Sequence, residues 1–230
     1  MGQIKQISNS LWTVPHDLTL AGVLALNTRM TVCKLQDGGL LLISPVPCSE
    51  ALRSAIDALG PIRTLISPNL YHHLYLGEWI AAYPDARSFG PPGLRKKRPD
   101  LQLTDELGPS FDAAFKEEIE RFSIEGMPTV NESLFHHHAS DTLITTDFCF
   151  FMPEAKGLTS LYASLMGFKN RVRCPFIFRA AIKDQEAFRT SLRPLRAINP
   201  QHLSMCHHAV LSKAASEALN EVLDRRKVEA

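Results

Sequence analysis

The sequence predicts an α/β layered fold. Short apolar runs bounded by turn formers stand at both ends of the chain, and segments of helical periodicity lie between them. Its 230 residues, 45% hydrophobic and 21% charged, are enough for one large core. A chain of that length buries roughly 70% of its unfolded surface and needs neither disulfides nor a structural metal to stay folded.

Leu11-Trp12-Thr13-Val14 and residues 30–35 and 40–44 are N-terminal strands, the last two joined by the hairpin signal Asp37-Gly38-Gly39. After Pro45 to Pro47, Ser49 caps a helix whose apolar face is Leu52, Ile56 and Leu59, and Gly60 ends it. Residues 63–67 form a buried strand, and Pro68-Asn69-Leu70-Tyr71-His72-His73 leads into a helix around 77–83. Residues 84–93 read as strand and turn, and Arg95-Lys96-Lys97-Arg98 as a solvated basic loop. Between Phe115 and Gly126 strand and helix templates fit equally well. Ser133-Leu134-Phe135 and the β-branched run 142–146 are strands, with His136-His137-His138 in the turn between them. Helices near 158–166 and 184–195, a strand at 203–206 and an amphipathic helix at 212–223 complete the chain. No repeat, linker or boundary divides it, which predicts one domain over 1–230.

Several function classes are disfavoured. Lys and Arg number 25 against 24 Asp and Glu, so the net charge of +1 gives no general attraction to nucleic acid or an anionic membrane. No run approaches the roughly 18 apolar residues of a membrane span, and the first residues lack a signal-peptide core. A cytoplasmic protein with a small-molecule substrate is the expectation. The five cysteines form no Cys-x-x-Cys pair and read as reduced, buried thiols, with Cys206 set apart because it precedes His207.

Histidine is the compositional anomaly. Of nine, seven fall in three groups at His72-His73, His136-His137-His138 and His207-His208. Each group follows a strand or lies between two, where sites are commonly built, and Asp147 also ends a strand. Imidazoles with a carboxylate suit zinc, iron or manganese. Successive residues of an extended run face opposite ways, so at most one or two of the three middle histidines reach a common point. His16 and His202 are isolated and read as bystanders.

In its order of elements the chain resembles the metallo-β-lactamase superfamily, and more closely an uncharacterised domain-of-unknown-function family distantly related to it. The stretches that carry the likeness are Thr28-Arg29-Met30-Thr31-Val32, Leu42-Ile43-Ser44-Pro45-Val46, Pro68 to Gly77, and Ser140 to Asp147. The resemblance implies a four-layer αββα sandwich with a metal site at the edge between the two sheets. The superfamily's His-x-His-x-Asp-His motif, laid on this chain, ends at His72 and His73 and puts Pro68 and Leu70 where its first two histidines belong. His137, Asp147 and His207 match the later ligands, although His208 replaces the glycine that commonly follows the last.

That likeness implies one divalent transition metal, zinc first with iron or manganese as alternatives, held by His72, His73, His137, Asp147 and His207. The function it implies is a mononuclear metal-dependent hydrolase acting on an ester, thioester, lactone or phosphoester. Asp147 would orient the nucleophile, and His72 or His137 would protonate the leaving group. The loss of two ligand positions motivates the alternative of a catalytically inactive binding or interaction module. An oxidoreductase has less support, since no electron-carrier domain accompanies the chain. Residues 157–179 read as a helical lid or partner surface, or more simply as aromatic core packing.

Overall fold

The computed structural model describes residues 3–20, 22–207 and 209–229. The first half runs β1 (Lys5–Ser8), β2 (Leu11–His16), β3 (Thr19–Leu20), β4 (Leu24–Ala25), β5 (Thr28–Lys34), β6 (Leu40–Ile43), α1 (Glu50–Asp57), β7 (Ile62–Ile66), α2 (Leu76–Ala82), β8 (Arg87–Gly90), α3 (Leu94–Lys97) and β9 (Asp105–Glu106). The second half runs α4 (Pro109–Phe115), β10 (Ile119–Ser123), β11 (Ser133–His137), β12 (Thr142–Thr145), α5 (Gly157–Met166), α6 (Phe176–Ala181), α7 (Gln185–Leu192), β13 (His202–Met205), β14 (Val210–Leu211) and α8 (Ala215–Arg225).

Two sheets result. A seven-stranded sheet has the order β1-β2-β5-β6-β7-β8-β9, a five-stranded sheet the order β10-β11-β12-β13-β14, and β3 with β4 makes a separate hairpin. The period of two along β6 explains the layering: Leu41 and Ile43 pack between the sheets with Phe135 and Ile144, whereas Leu40 and Leu42 face the opposite side. There they meet Leu52 and Ile56 of α1 and Trp79 of α2. The five-stranded sheet is covered by α7 and α8, whose Phe188, Leu192, Leu219 and Leu223 pack on Leu134, Leu143 and Leu203. Both faces of each sheet are thus buried, which is why the central strands read as continuous apolar runs.

Local signals set the helices. The Ser49 side chain accepts from Leu52 N to cap α1, and the Asp184 carboxylate accepts from Glu186 N and Ala187 N to cap α7. The order of strand directions places the site. β6 and β7 run parallel in one sheet and β12 and β13 run parallel in the other, while β11 runs antiparallel to β12.

Two expectations are revised, and two segments left open are placed. His136 and His137 belong to β11 itself, because the turn to β12 is tight: a single 3-10 turn at His138–Ser140 and Asp141 at φ 44° close it. The basic residues 95–97 form most of α3, with Lys97 Nζ donating to Leu70 O. The ambiguous acidic segment is the strand β10, paired with β11 from Ile119↔His137 to Ser123↔Ser133. In the segment 157–179, Phe168 and Phe178 are buried while Phe176 is exposed. No helix among the described residues is long and apolar enough to cross a membrane.

Candidate metal centre

Four segments meet at one edge of the sandwich, each just past the C-terminal end of a parallel strand. Ser44 follows β6, Asn69 to His72 follow β7, Asp147 follows β12, and Cys206 with His207 follow β13. The ligand atoms of His72, Asp147 and His207 all lie within 4.8 Å of one another. His72 Nε2 is 3.3 Å from Asp147 Oδ2 and His207 Nε2 is 3.2 Å from Asp147 Oδ1.

Asn69 builds the loop that delivers His72. Its Oδ1 accepts from Tyr71 N at 2.8 Å and His72 N at 2.9 Å, the Asx turn to which asparagine is suited. Its Nδ2 donates to Asp147 Oδ2 at 2.8 Å, so one buried amide orients two of the three groups. Glu132, also buried, accepts from Thr146 N, Asp147 N and Phe148 N and so shapes the turn that carries Asp147. Burial and the neighbouring Asp147 charge push its carboxyl up to about 7.

The tautomer of His207 follows from its outer contact. His207 Nδ1 faces the Asn27 carbonyl at 2.7 Å, and a carbonyl only accepts, so this nitrogen carries a proton and Nε2 is left toward Asp147. His72 Nδ1 is 2.8 Å from Ser44 Oγ and 3.4 Å from Cys206 Sγ. In a neutral His207 of that tautomer the Nε2 lone pair would face a buried carboxylate, and His72, whose Nδ1 partners can each donate or accept, sets its Nε2 beside the same carboxylate. A cation between them, whether protons or a metal ion, turns repulsion into attraction. Burial alone would lower His72 and His207, yet Cys206 and Asp147 outweigh it and hold both above the ordinary imidazole value. Burial likewise opposes the ionised Asp147, and His72 and His207 prevail and hold it well below the usual carboxylate range. Burial would raise Cys206, but His72 brings its thiol down to about 6.

The donor set therefore fits a divalent ion: two imidazoles and one carboxylate, with each outer ring nitrogen already engaged, as metal-binding histidines usually are. The two remaining predicted ligands are not brought to this point. His73 turns away from its neighbour, and Arg98 Nη1 donates to its Nδ1 at 3.0 Å. Burial and the Lys97 and Arg98 charges lower its pKa. His137 pairs with Thr142 at the start of β12, so the strand itself separates it from Asp147 by roughly 16 Å, five residues at about 3.3 Å each. It is a core histidine, bonded through Nδ1 to Ser140 Oγ at 2.7 Å and lowered by burial to about 4. The leaving-group role considered for His137 falls with that placement.

His136 on β11 and His138 in the turn after it bring their ligand atoms together with that of Glu120 in a largely exposed group. His16 meets Tyr75 Oη at 3.3 Å. His208 lies outside the described residues. Sequence reasoning passed over Asn69, Glu132 and Ser44. Only Asn69 carried a legible signal, the Ser-Pro-Asn turn after a strand.

The three groups form the floor of a cavity of about 410 Å³, a size usual for small-molecule sites. Leu18, Leu20, Leu26, Leu74, Phe150 and Phe178 are among its walls, and Ser44, His72, Asp147 and His207 are its polar end. Phe150 lies against the His207 ring at 4.4 Å between centroids, which screens that side from water.

Comparison with known proteins agrees with this architecture. The family model described as "Domain of unknown function (DUF4336)" matches residues 8–173. No curated protein matches the sequence. Among solved structures, a metallo-beta-lactamase from Pontibacter korlensis superposes with a TM-score of 0.65 at 11% identity over 100% of both chains. The DIM-1 metallo-beta-lactamase gives 0.66 at 13% over 97% of both, and one from Erythrobacter litoralis gives 0.62 at 12% over 96% of both. The chain has the metallo-β-lactamase fold, the αββα sandwich that the order of elements implied.

Proposed function

The chain belongs to the DUF4336 family, whose description names a domain and no chemistry, and from the site itself we propose a hydrolase of small-molecule esters, thioesters or lactones that uses one divalent metal ion. The observation that carries this reading is the convergence of His72, Asp147 and His207 at the buried end of an apolar cavity. When bound there, a zinc, iron or manganese ion supplies Lewis acidity, bringing water's pKa toward neutrality and polarising a carbonyl.

The chain's own contribution is placement. His207 is aimed by the Asn27 carbonyl, Asp147 by Asn69, and His72 by the Asn69 turn and Ser44. The apolar walls exclude bulk water and strengthen every charge interaction at the floor. Two imidazoles and one carboxylate leave room in a four-coordinate shell, which a catalytic site requires and a structural one does not.

The purified protein is expected to hold about one equivalent of transition metal by elemental analysis, and to lose 4-nitrophenyl ester hydrolysis on chelation and regain it on metal addition. A metal-free preparation that binds no zinc on titration would sink the proposal.

One observation favours a second reading. Ser44, held at φ 57° where non-glycine residues are rare, faces the cavity with Oγ 2.8 Å from His72 Nδ1, and His72 Nε2 meets Asp147. That is the connectivity of a Ser-His-Asp relay with the two ring nitrogens exchanged. In such a step Ser44 Oγ bonds the acyl carbon as its proton passes to His72 Nδ1, and the imidazolium returns the proton to the departing oxygen as the acyl bond breaks. Hydrolysis that survives chelation and disappears in Ser44→Ala would select this reading over the first.

A further inference from the structure

We infer that the ligand of this cavity is electrically neutral where it meets the walls and carries an extended apolar chain, so that, resting on the hydrolase reading, the substrate is an ester, thioester or lactone of an alkyl or acyl chain and not a phosphoester or a polyanion. Three observations carry this.

First, the lining is divided. The ionisable groups sit at one end, in His72, Asp147 and His207, and the rest is built from side chains such as Leu20, Leu26, Leu74, Val130, Phe150 and Phe178. No Lys or Arg is among the described lining residues. A carboxylate or phosphate lying along those walls would lose its hydration with no counter-charge, which costs heavily. An alkyl chain there gains about 0.8 kcal/mol per methylene, close to a fourfold change in affinity.

Second, apolar surface continues past the mouth. The large hydrophobic side chains most exposed in the described residues are Leu20, Val23, Tyr71, Leu74, Leu158, Leu161, Leu165 and Phe176. They are confined to the β3–β4 hairpin, the loop after β7, α5 and α6. Residues of the hairpin, the loop and α6 also line the cavity. Helix α5 joins them through β4, where Ala25 N donates to Thr159 Oγ1 at 2.9 Å. Single exposed hydrophobics scattered over a surface need no explanation, whereas Leu20, Tyr71 and Leu74, exposed and lining one cavity, do.

Third, the basic residues beside the site are committed elsewhere: buried Arg29, whose carbonyl accepts from Cys206 Sγ, donates from Nη1 to Thr13 Oγ1 at 3.0 Å. Lys97 Nζ lies over the Tyr71 ring and donates to Leu70 O, and Arg98 is held by Asp100 and His73. None of the three lines the cavity.

The test is binding to the metal-free protein, so that it does not depend on catalysis. The probes are straight-chain methyl ketones of increasing length and counterparts that keep the ketone and carry a carboxylate at the far end of the chain, with affinity read by calorimetry. Affinity is expected to rise about fourfold per added methylene until the cavity is filled, and the carboxylate-ended probes to bind on the order of 100-fold more weakly. Leu74→Lys, at an exposed position of the mouth that tolerates substitution without unfolding, should strengthen the carboxylate-ended probes about tenfold and weaken the neutral ones. Leu20→Ala should flatten the dependence on chain length. Affinity that is independent of length, or equal for the charged and neutral series, overturns the inference. Length-dependent binding in a protein that hydrolyses nothing with metal restored would refute the hydrolase reading alone.

Discussion

Removing the Asn69 amide tests the site more sharply than removing a ligand. In Asn69→Ala, Asp147 Oδ2 loses a donor at 2.8 Å, and Tyr71 N and His72 N lose the acceptor that closes their turn. A hydrogen bond to a charged group contributes about 1.5–3 kcal/mol and a neutral one about 0.5–1.5, so a loss of about 3–4 kcal/mol is expected, because the terms do not add fully. A fold of ordinary stability, about 5–15 kcal/mol, survives that loss. Outer partners of metal ligands typically govern affinity by about 10–100-fold, and Asn69 holds two ligands at once, so zinc affinity should fall toward the upper end. Urea unfolding of the metal-free protein reads the first effect, and competition against a chromogenic chelator reads the second. Asn69→Asp adds a sign. It keeps the acceptor for the turn but sets a second carboxylate against Asp147, so the metal-free variant should be less stable than Asn69→Ala at neutral pH and recover on mild acidification. Bound zinc should narrow the gap. Zinc affinity within twofold of the parent in Asn69→Ala, with an unchanged urea midpoint, would refute the claim that this amide aims the site.

Three other outcomes are expected. His207→Ala should abolish stoichiometric zinc binding while His73→Ala and His137→Ala keep it, as measured by elemental analysis; the reverse pattern would return the site to the superfamily's usual positions. Because His72 and His207 are raised in the metal-free protein, their contribution to stability is complete below the unfolded imidazole value of about 6.5 and is lost as pH rises through the folded values. Zinc displaces those protons, so its affinity should climb over the same window, with proton release visible by calorimetry in two buffers. Gly126→Ala should cost about 3 kcal/mol or more by urea unfolding, since its φ is 73° and an added Cβ would lie 2.2 Å from Asp184 O and 3.0 Å from Phe188 N.

Much of the fold was legible because its strands are buried on both faces and its turns use strong signals. Leu40 to Ile43 cannot be an exposed edge, and Asp37-Gly38-Gly39 fixes the hairpin before it. Short elements were less visible: β3 and β4 have two residues each and are set by tertiary contacts, among them Ala25 with Thr159. Asp147 and His207 were legible as polar residues that end apolar strands. Glu132 was not, since a lone glutamate near a turn looks solvated until three backbone amides are seen to converge on it.

The histidines separate by strand direction, a property that spacing along a chain does not encode. Strands β6, β7, β12 and β13 deliver their C-terminal ends to one edge of the sandwich, so a polar residue just past any of them reaches the cavity. Strand β11 runs the other way, and however many histidines it ends on, they arrive at the far edge. Within the loop after β7 a second rule applies: two adjacent residues point apart, and the Asn69 turn selects His72 for Asp147 and leaves His73 to Arg98. The likeness to the superfamily's motif put His73 ahead of His72, because motif position counts residues and not directions. A ligand set in this fold is therefore better inferred by asking first which strands end at the shared edge and only then which side chain of the following loop is turned inward. Applied here, that order brings His72, Asp147 and His207 to the cavity and leaves His73 and His137 away from it.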